Sequence, residues 1–136
     1  MVRAACTIAS YNYLPYARTL CNSFLAIHPD YRFYVLLVDT LPADFDPADD
    51  SFDLVLVQDL EIPNFNAVAF KYGILELNTN VKPTFLKNLL DRGIEQLLYF
   101  DPDILICSST APIYSALDMN SIVLTPHCIS TNENNP

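Results

Sequence analysis

Short runs of consecutive apolar residues, each closed by polar ones, constrain the fold of this chain most. They read "AACTIAS", "RFYVLLVD", "FDLVLVQDL" and "QLLYFD", over residues 4–10, 32–39, 52–60 and 96–101. A strand with one solvated face alternates apolar and polar residues, whereas a strand buried on both faces is apolar nearly throughout. The four runs therefore predict strands that are covered on both sides of a sheet.

Helical patterns alternate with these strands. Helices are predicted over residues 14–28, 66–77, 83–92 and 112–117, a short strand or extended segment over 104–107, and a strand over 121–125. Pro15 and Pro29 bracket the first helix, and Gly93 follows the third where a C-terminal cap belongs. This order predicts an α/β domain with a Rossmann-like, open, mainly parallel sheet and helices on both faces. Residues 1–136 are expected to form one domain with a frayed polar tail over 129–136.

Composition excludes several function classes. Seven basic and sixteen acidic side chains give a net charge of −9, which disfavours binding to nucleic acid or to anionic lipid. The four cysteines form no CxxC pair, so we expect small buried side chains in a reducing compartment, with disulfides as the alternative. No signal-peptide pattern and no run of 18 apolar residues occurs, which predicts a cytoplasmic protein without a transmembrane segment.

Ligands of an open α/β sheet gather beyond the carboxyl ends of its strands. The polar residues at these ends are Ser10, Tyr11, Asn12, Asp39, Asp59, Asp101 and Asp103. The chain has only two glycines, so neither a GxGxxG turn nor a Walker loop can be written. Any phosphate bound at these strand ends therefore needs a cation.

"LLYFDPDILI" places Asp101 and Asp103 one residue apart at a strand end. Carboxylate oxygens suit Mg²⁺ or Mn²⁺, which bridge to substrate phosphates, and Pro102 stiffens the corner. A simple turn explains the same three residues, but the apolar flanks predict carboxylates that need a ligand or a hydrogen-bond network.

Basic side chains cluster just before this motif, at Lys71, Lys82, Lys87 and Arg92. Lys82 precedes Pro83 at the start of a predicted helix, where a cation opposes the helix dipole, so it is the strongest candidate for a diphosphate contact. Lys87 and Arg92 are expected to lie on a solvated face, and a lone histidine such as His127 is more often structural than a ligand.

Four segments in order resemble the donor-binding half of glycosyltransferases with the nucleotide-diphospho-sugar transferase (GT-A) fold. They are "ASYNYLPYARTLCNSF", "KYGILELNTNVKPTFLKNLLDRG", "LLYFDPDILI" and "SIVLTPH", and the resemblance runs over residues 4–128. Asp101-Pro102-Asp103 corresponds to the DxD metal motif of that group. The resemblance implies transfer of a sugar from a nucleotide-diphospho-sugar donor to an acceptor, a glycan, lipid or protein.

The same resemblance implies roles for individual residues. Ala9, Ser10 and Tyr11 would contact the nucleotide base, and Lys82 would lie near the diphosphate. Asp101 and Asp103 would serve the sugar-ribose part and a Mn²⁺ or Mg²⁺ ion. Asp39, at the end of the second strand, is counted with the donor-binding residues.

Such enzymes usually continue into an acceptor-binding half that brings a further metal ligand, whereas this chain stops at Pro136. A non-catalytic nucleotide-sugar-binding or interaction module is therefore an alternative function. A sugar-phosphate nucleotidyltransferase is a second alternative, but it is expected to carry a glycine- and basic-rich loop after the first strand. The residues there, "ASYNYLPYA", are neither.

Overall fold

The computed structural model describes residues 1–43, 45–47, 50–60, 62–63, 65 and 74–126. In this part of the chain four strands form one all-parallel sheet: β1 (Arg3–Ala9), β2 (Arg32–Leu37), β3 (Asp53–Leu56) and β4 (Gln96–Tyr99). The α-helices are α1 (Leu14–Ile27), α2 (Ile74–Asp91) and α3 (Ala111–Leu117). The predicted α/β class with a parallel sheet is confirmed.

Strand β1 lies in the middle of the sheet, whose order is β3-β2-β1-β4. The chain builds outward from β1 through β2 to β3, and then returns to place β4 on the other side of β1. Residues 4–9 are buried, which is why this run is apolar without alternation. The strand order therefore reverses between β1 and β4, at a topological switch point.

Helices cover both faces of the sheet, as predicted. On one face, α1 packs through Leu14, Leu20 and Phe24, and α3 through Tyr114. The Tyr114 hydroxyl donates a hydrogen bond to the Ala4 carbonyl oxygen at 2.8 Å. On the other face lies α2, and the two apolar layers hold the central strand between them.

The prediction of a separate helix starting at residue 83 is wrong, because α2 continues through Pro83. Proline inside a helix costs about 3 kcal/mol. Side chains of α2 at four-residue spacing are buried against the sheet: Leu77, Val81, Phe85 and Leu89. Each contributes about 1.5–3 kcal/mol, so their packing outweighs the proline, which faces solvent. Of the helix predicted over 66–77, residues 66–73 lie outside the described residues.

The third strand is shorter than predicted. It ends at Leu56 and is followed by a 3₁₀ turn over Val57–Leu60. Val57 and Leu60 are buried, while Gln58 and Asp59 between them are exposed. Buried positions three residues apart fit the three-residue period of a 3₁₀ turn and not the two-residue period of a strand.

Residues 104–107 and 121–125 are irregular, so the strand predicted over 121–125 is wrong. Leu105, Ile122 and Leu124 are exposed, the last to 82%. Apolar composition alone predicted these segments to be extended, but no strand of the described sheet pairs with them. A strand needs a paired neighbour to form. The predicted frayed tail lies outside the described residues.

Gly93 ends α2 with φ of +91°, as its predicted capping role requires. Cys6 and Cys21 are buried as predicted, and burial raises the pKa of the Cys21 thiol to about 12. Cys107 is exposed, which contradicts the expectation for it, because its segment is not part of the core. Within the described residues, no helix has the length and apolarity needed to cross a membrane.

His28 joins the end of α1 to the segment before α3. Its ring is buried, and its Nε2 accepts a hydrogen bond from the Thr110 backbone N–H at 3.1 Å. The ring also stacks on Tyr31 at a centroid distance of 4.9 Å. Burial lowers the pKa of His28 below its ordinary value of 6.5. The folded protein therefore holds this histidine neutral.

This arrangement predicts that stability falls as the pH is lowered below 6.5. Above that pH both the folded and unfolded states hold His28 neutral, whereas below it the unfolded state binds a proton that the folded state binds less readily. His28→Gln keeps an acceptor for Thr110 but cannot titrate there. Thermal unfolding between pH 7.5 and 5 should show a smaller loss of stability in the variant. Identical pH dependence in the two proteins would contradict this assignment.

Candidate functional site

A cleft of about 800 Å³ opens at the carboxyl ends of β1 and β4, with α2 as its third wall. It occupies the switch point at which an open α/β sheet binds its ligands. The described residues that line it are Ile8, Ala9, Ser10, Asn12, Tyr13, Glu76, Asn78, Thr79, Lys82, Tyr99, Asp101, Pro102 and Asp103. The sequence predicted seven donor-binding or metal-binding residues, and five of them line the cleft: Ala9, Ser10, Lys82, Asp101 and Asp103.

The register of β4 on β1 brings the two predicted parts of the site together. Tyr99 pairs with Cys6, and the next residue, Phe100, donates its backbone N–H to the Cys6 carbonyl oxygen at 3.0 Å. Continued by two to four residues, this register would set residues 101–103 beside residues 8–10. The chain instead turns there, with the Ile104 N–H bonded to the Asp101 carbonyl oxygen at 3.2 Å. Both ends therefore border the same space.

The two carboxylates of the Asp-Pro-Asp corner are exposed to solvent. The expectation that apolar flanks would embed them is wrong, because only the preceding strand enters the core, while Ile104 and Leu105 face outward. Burial, together with the nearby Asp101 carboxylate, raises the pKa of Tyr99 above its ordinary value of 10. The raised pKa favours the neutral phenol beside Asp101, and both carboxylates line the cleft.

Lys82 extends from the middle of α2 into the cleft. Its Nζ lies 3.8 Å from the centroid of the Tyr99 ring, within the range of a cation–π contact. The prediction that Lys82 stands at a helix start, against the helix dipole, is wrong, because α2 begins eight residues earlier. Its position beside the strand ends nevertheless makes it a cation that an anionic ligand in the cleft would meet.

The described lining of the cleft has more acidic than basic side chains. Among the described lining residues, the carboxylates of Glu76, Asp101 and Asp103 stand against the one ammonium of Lys82. A diphosphate entering alone would be repelled by Asp101 and Asp103, whereas a divalent cation would be attracted to them. Binding of a divalent cation together with an anionic ligand is therefore more favourable than binding of either one by itself beside Lys82.

Asp101 and Asp103 provide oxygen ligands but do not form a complete metal cage. The described residues contain no group of three or more His, Cys, Asp or Glu side chains arranged to hold a metal ion. Mg²⁺ commonly binds one or two carboxylates and completes its shell with waters and substrate phosphates. The pair fits that kind of shared site.

The first strand ends in a 3₁₀ turn over Tyr11–Tyr13. The turn is closed by the Tyr13 N–H, which donates to the Ser10 carbonyl oxygen at 2.9 Å. Ser10 is buried, and its hydroxyl donates to Asn12 Oδ1 at 2.5 Å. This hydrogen-bonded turn, without any glycine, forms the wall of the cleft opposite α2.

Tyr11 and Asp39 lie beside the cleft and do not line it. The Tyr11 backbone N–H donates to both carboxylate oxygens of Asp39, at 2.8 and 2.9 Å. The Tyr11 ring is partly exposed and meets Phe45 edge-on, with 6.4 Å between centroids. The structure thus places Asp39 as an anchor of the turn that carries Ser10.

Sequence reasoning missed most of the α2 wall. Glu76, Thr79 and Lys82 follow one another at three-residue intervals, and Asn78 precedes Lys82 by four, so one side of a continuous helix presents them all. The spacing from Lys82 predicts the same three neighbours if the helix is continuous, but Pro83 predicts that a new helix begins there. Tyr99 was read only as part of a strand.

Two other basic candidates, Lys87 and Arg92, do not line the cleft. Lys87 is exposed and forms an ion pair with Asp91 four residues later, and Arg92 is exposed past the end of α2. Both agree with the predicted solvated face. Lys71 and His127 lie outside the described residues.

Solved structures share this fold. The chain is similar to the galactosyltransferase LgtC in a complex with donor and acceptor sugar analogues, at 21% identity and a TM-score of 0.48. It is also similar to an active-site mutant of LgtC, at 21% identity and a TM-score of 0.50. Each match covers 82% of this chain and 41% of LgtC, so the chain spans less than half the length of that protein. No protein-family model and no curated protein matches.

The match with a TM-score of 0.50 shows that the chain shares its α/β fold with LgtC over the covered region. At 21% identity it shows the fold alone.

Loss of the Asp39 carboxylate should release the Tyr11 amide. Hydrogen bonds to charged groups contribute about 1.5–3 kcal/mol, so Asp39→Ala should raise hydrogen exchange at Tyr11 by roughly tenfold or more. Amide exchange measured by NMR tests this. Asp30→Ala, which removes another exposed carboxylate, is the control and should leave Tyr11 unchanged. Unaltered exchange at Tyr11 in Asp39→Ala would show that the anchor is not formed in solution.

Proposed function

We propose that this chain binds the nucleotide-diphospho-sugar donor of a glycosyltransferase, and that the protein transfers the sugar to an acceptor hydroxyl. The observation that carries the proposal is the cleft at the switch point, where Lys82 and the Asp101–Asp103 pair face the end of β1. These are the groups that a nucleoside diphosphate requires: a cation, metal-ligating carboxylates and a polar turn for the nucleoside. The glycosyltransferase fold supports the same reading.

The diphosphate is assigned to the space between Lys82 and the Asp-Pro-Asp corner. Lys82 is held by the Tyr99 ring at 3.8 Å, which keeps its ammonium over the cleft. The nucleoside is assigned to the Ala9–Ser10 side, beside the turn that Asp39 anchors. The sugar is assigned to the exposed Asp-Pro-Asp side, where an acceptor hydroxyl from a glycan, a lipid or a protein could reach it.

Asp101 and Asp103 would hold Mn²⁺ or Mg²⁺ in company with the phosphate oxygens. When bound, the ion offsets the charge that builds on the departing nucleoside diphosphate. Lys82 adds a second positive charge at the same oxygens and needs no glycine-rich loop to do so. Over the whole transfer, the anomeric carbon exchanges its bond to the phosphate oxygen for one to the acceptor oxygen, the nucleoside diphosphate leaves with the electron pair, and the proton of the acceptor hydroxyl passes to solvent.

Calorimetric titration with a panel of nucleoside diphosphates, with and without Mn²⁺, tests the proposal. Binding should require Mn²⁺ and should fall to the metal-free level in Asp103→Asn. Lys82→Gln should weaken binding roughly tenfold or more, because a charged contact to phosphate is lost.

Matched controls come from the exposed pair on the same helix. Lys87→Gln and Asp91→Asn remove the same charges outside the cleft and should leave binding unchanged. Equal affinity without the metal, or equal losses in the Lys82 and Lys87 variants, would contradict the proposed site. Binding without turnover of any sugar donor would favour a nucleotide-sugar-binding module instead of an enzyme.

A further inference from the structure

Tyr99 stands at the end of β4, where the strand borders the cleft. Its backbone pairs with Cys6 of β1, and its side chain packs against the apolar cluster to which Val81 and Phe85 of α2 belong. The side chain is half-buried and also lines the cleft. Because close packing restricts a side chain to one position, the ring is a fixed surface at this edge of the cleft.

Lys82 reaches this ring from α2. Its Nζ lies 3.8 Å from the ring centroid, well inside the limit of about 6 Å for a cation–π contact. In the part of the chain that the structure describes, Lys82 forms no ion pair, although the carboxylates of Asp101 and Asp103 line the same cleft. The aromatic ring, and not one of these carboxylates, therefore holds the ammonium in place.

Lys87 shows the alternative environment for a lysine on the same helix. It lies five residues after Lys82, is exposed, and pairs with the carboxylate of Asp91, which offsets its charge. A neutral aromatic ring attracts a cation through its quadrupole and has no net charge with which to offset it. The charge of Lys82 thus remains available to an anion that enters the cleft.

We infer that Tyr99 is a positioning residue for the diphosphate, and that its ring places Lys82 over the cleft without neutralising the ammonium. This inference rests on the proposed function and goes beyond it by assigning the positioning to the ring and not to the phenolic hydroxyl. An ammonium that is already in place loses less side-chain freedom when the phosphates bind, which increases affinity. Tyr99 acts through Lys82 and is not assigned a phosphate contact of its own.

A double-mutant cycle tests this role, with affinities for a nucleoside diphosphate and for inorganic pyrophosphate measured by calorimetry with Mn²⁺. Tyr99→Leu removes the ring and should weaken binding of both probes about threefold to tenfold. Tyr99→Phe keeps the ring and should bind both within about twofold of the wild type. In a Lys82→Gln background, Tyr99→Leu should cause no further loss, because the ring then has no cation to hold.

Tyr34→Leu is the matched control. Tyr34 belongs to the same apolar cluster on the same face of the sheet, but it does not line the cleft. Its loss should lower the thermal stability and leave both affinities unchanged. A loss of affinity in Tyr99→Leu that came only from loosened packing should instead appear in Tyr34→Leu as well, and should persist in the Lys82→Gln background.

The chemical shift of Lys82 tests the contact in the wild type, without metal or ligand. Protons above an aromatic ring resonate upfield, so the ε-methylene protons of Lys82 should lie upfield of those of Lys87, and should do so in Tyr99→Phe. Equal shifts for the two lysines overturn the inference even if Tyr99→Leu fails to fold. Equal losses from Tyr99→Leu in both backgrounds, or a phenylalanine variant as weak as the leucine variant, overturn it alone. A wild type that binds neither probe with Mn²⁺ overturns the proposed function as well.

Discussion

The parallel pairing of β4 with β1 is the interaction on which the rest of the site depends. Four residue pairs, from Arg3 with Gln96 to Cys6 with Tyr99, fix where β4 stops beside the central strand. Because β4 stops there, its Asp-Pro-Asp corner borders the end of β1 and does not extend past it. The hydrogen bond from the Tyr114 hydroxyl to Ala4 joins α3 to the sheet, and the hydrogen bond from Thr110 to His28 joins the start of α3 to the end of α1. A shift of one residue in this register would turn Tyr99 to the other face of the sheet and remove the support of Lys82.

Charge then decides what the cleft can hold. Its described lining residues include three carboxylates and one ammonium, in a chain whose net charge is −9. Many phosphate sites use backbone amides of a glycine-rich loop, which this chain cannot build from two glycines. The first strand instead ends in a tight turn held by the Asp39 carboxylate, with its polar groups largely engaged. Under the proposed function, Lys82 and a shared divalent ion take the place of those amides.

Much of the fold could be predicted from local patterns. The uninterrupted apolar run of β1 required burial on both faces, and the prolines around α1 marked its ends. Gly93 ended α2 because only a residue that tolerates positive φ fits there. Prediction failed where tertiary packing opposed local preference: burial of Leu77 and Phe85 carried the helix through Pro83. It also failed where an apolar segment found no partner strand, as over residues 121–125.

The site was predictable in outline for the same reason that the strands were. Residues at strand ends fall together in any parallel sheet, which gave Ser10, Asp101 and Asp103 correctly as neighbours of one cleft. Whether a strand-end side chain turns into the cleft or toward its own backbone depends on the loop, and for Asp39 the Tyr11 amide was the nearer partner.

Paramagnetic broadening by Mn²⁺ tests the central claim most directly. In the presence of a nucleoside diphosphate, the ion should broaden the NMR amide signals of Ser10, Lys82 and Asp103 most strongly. Signals at the amino ends of the strands, such as those of Val2 and Glu95, should keep their width, because β1 alone is about 20 Å long. Broadening centred on the acidic loop around Asp46 and Asp50, or unaffected by the nucleotide, would contradict a shared metal and diphosphate site at the switch point.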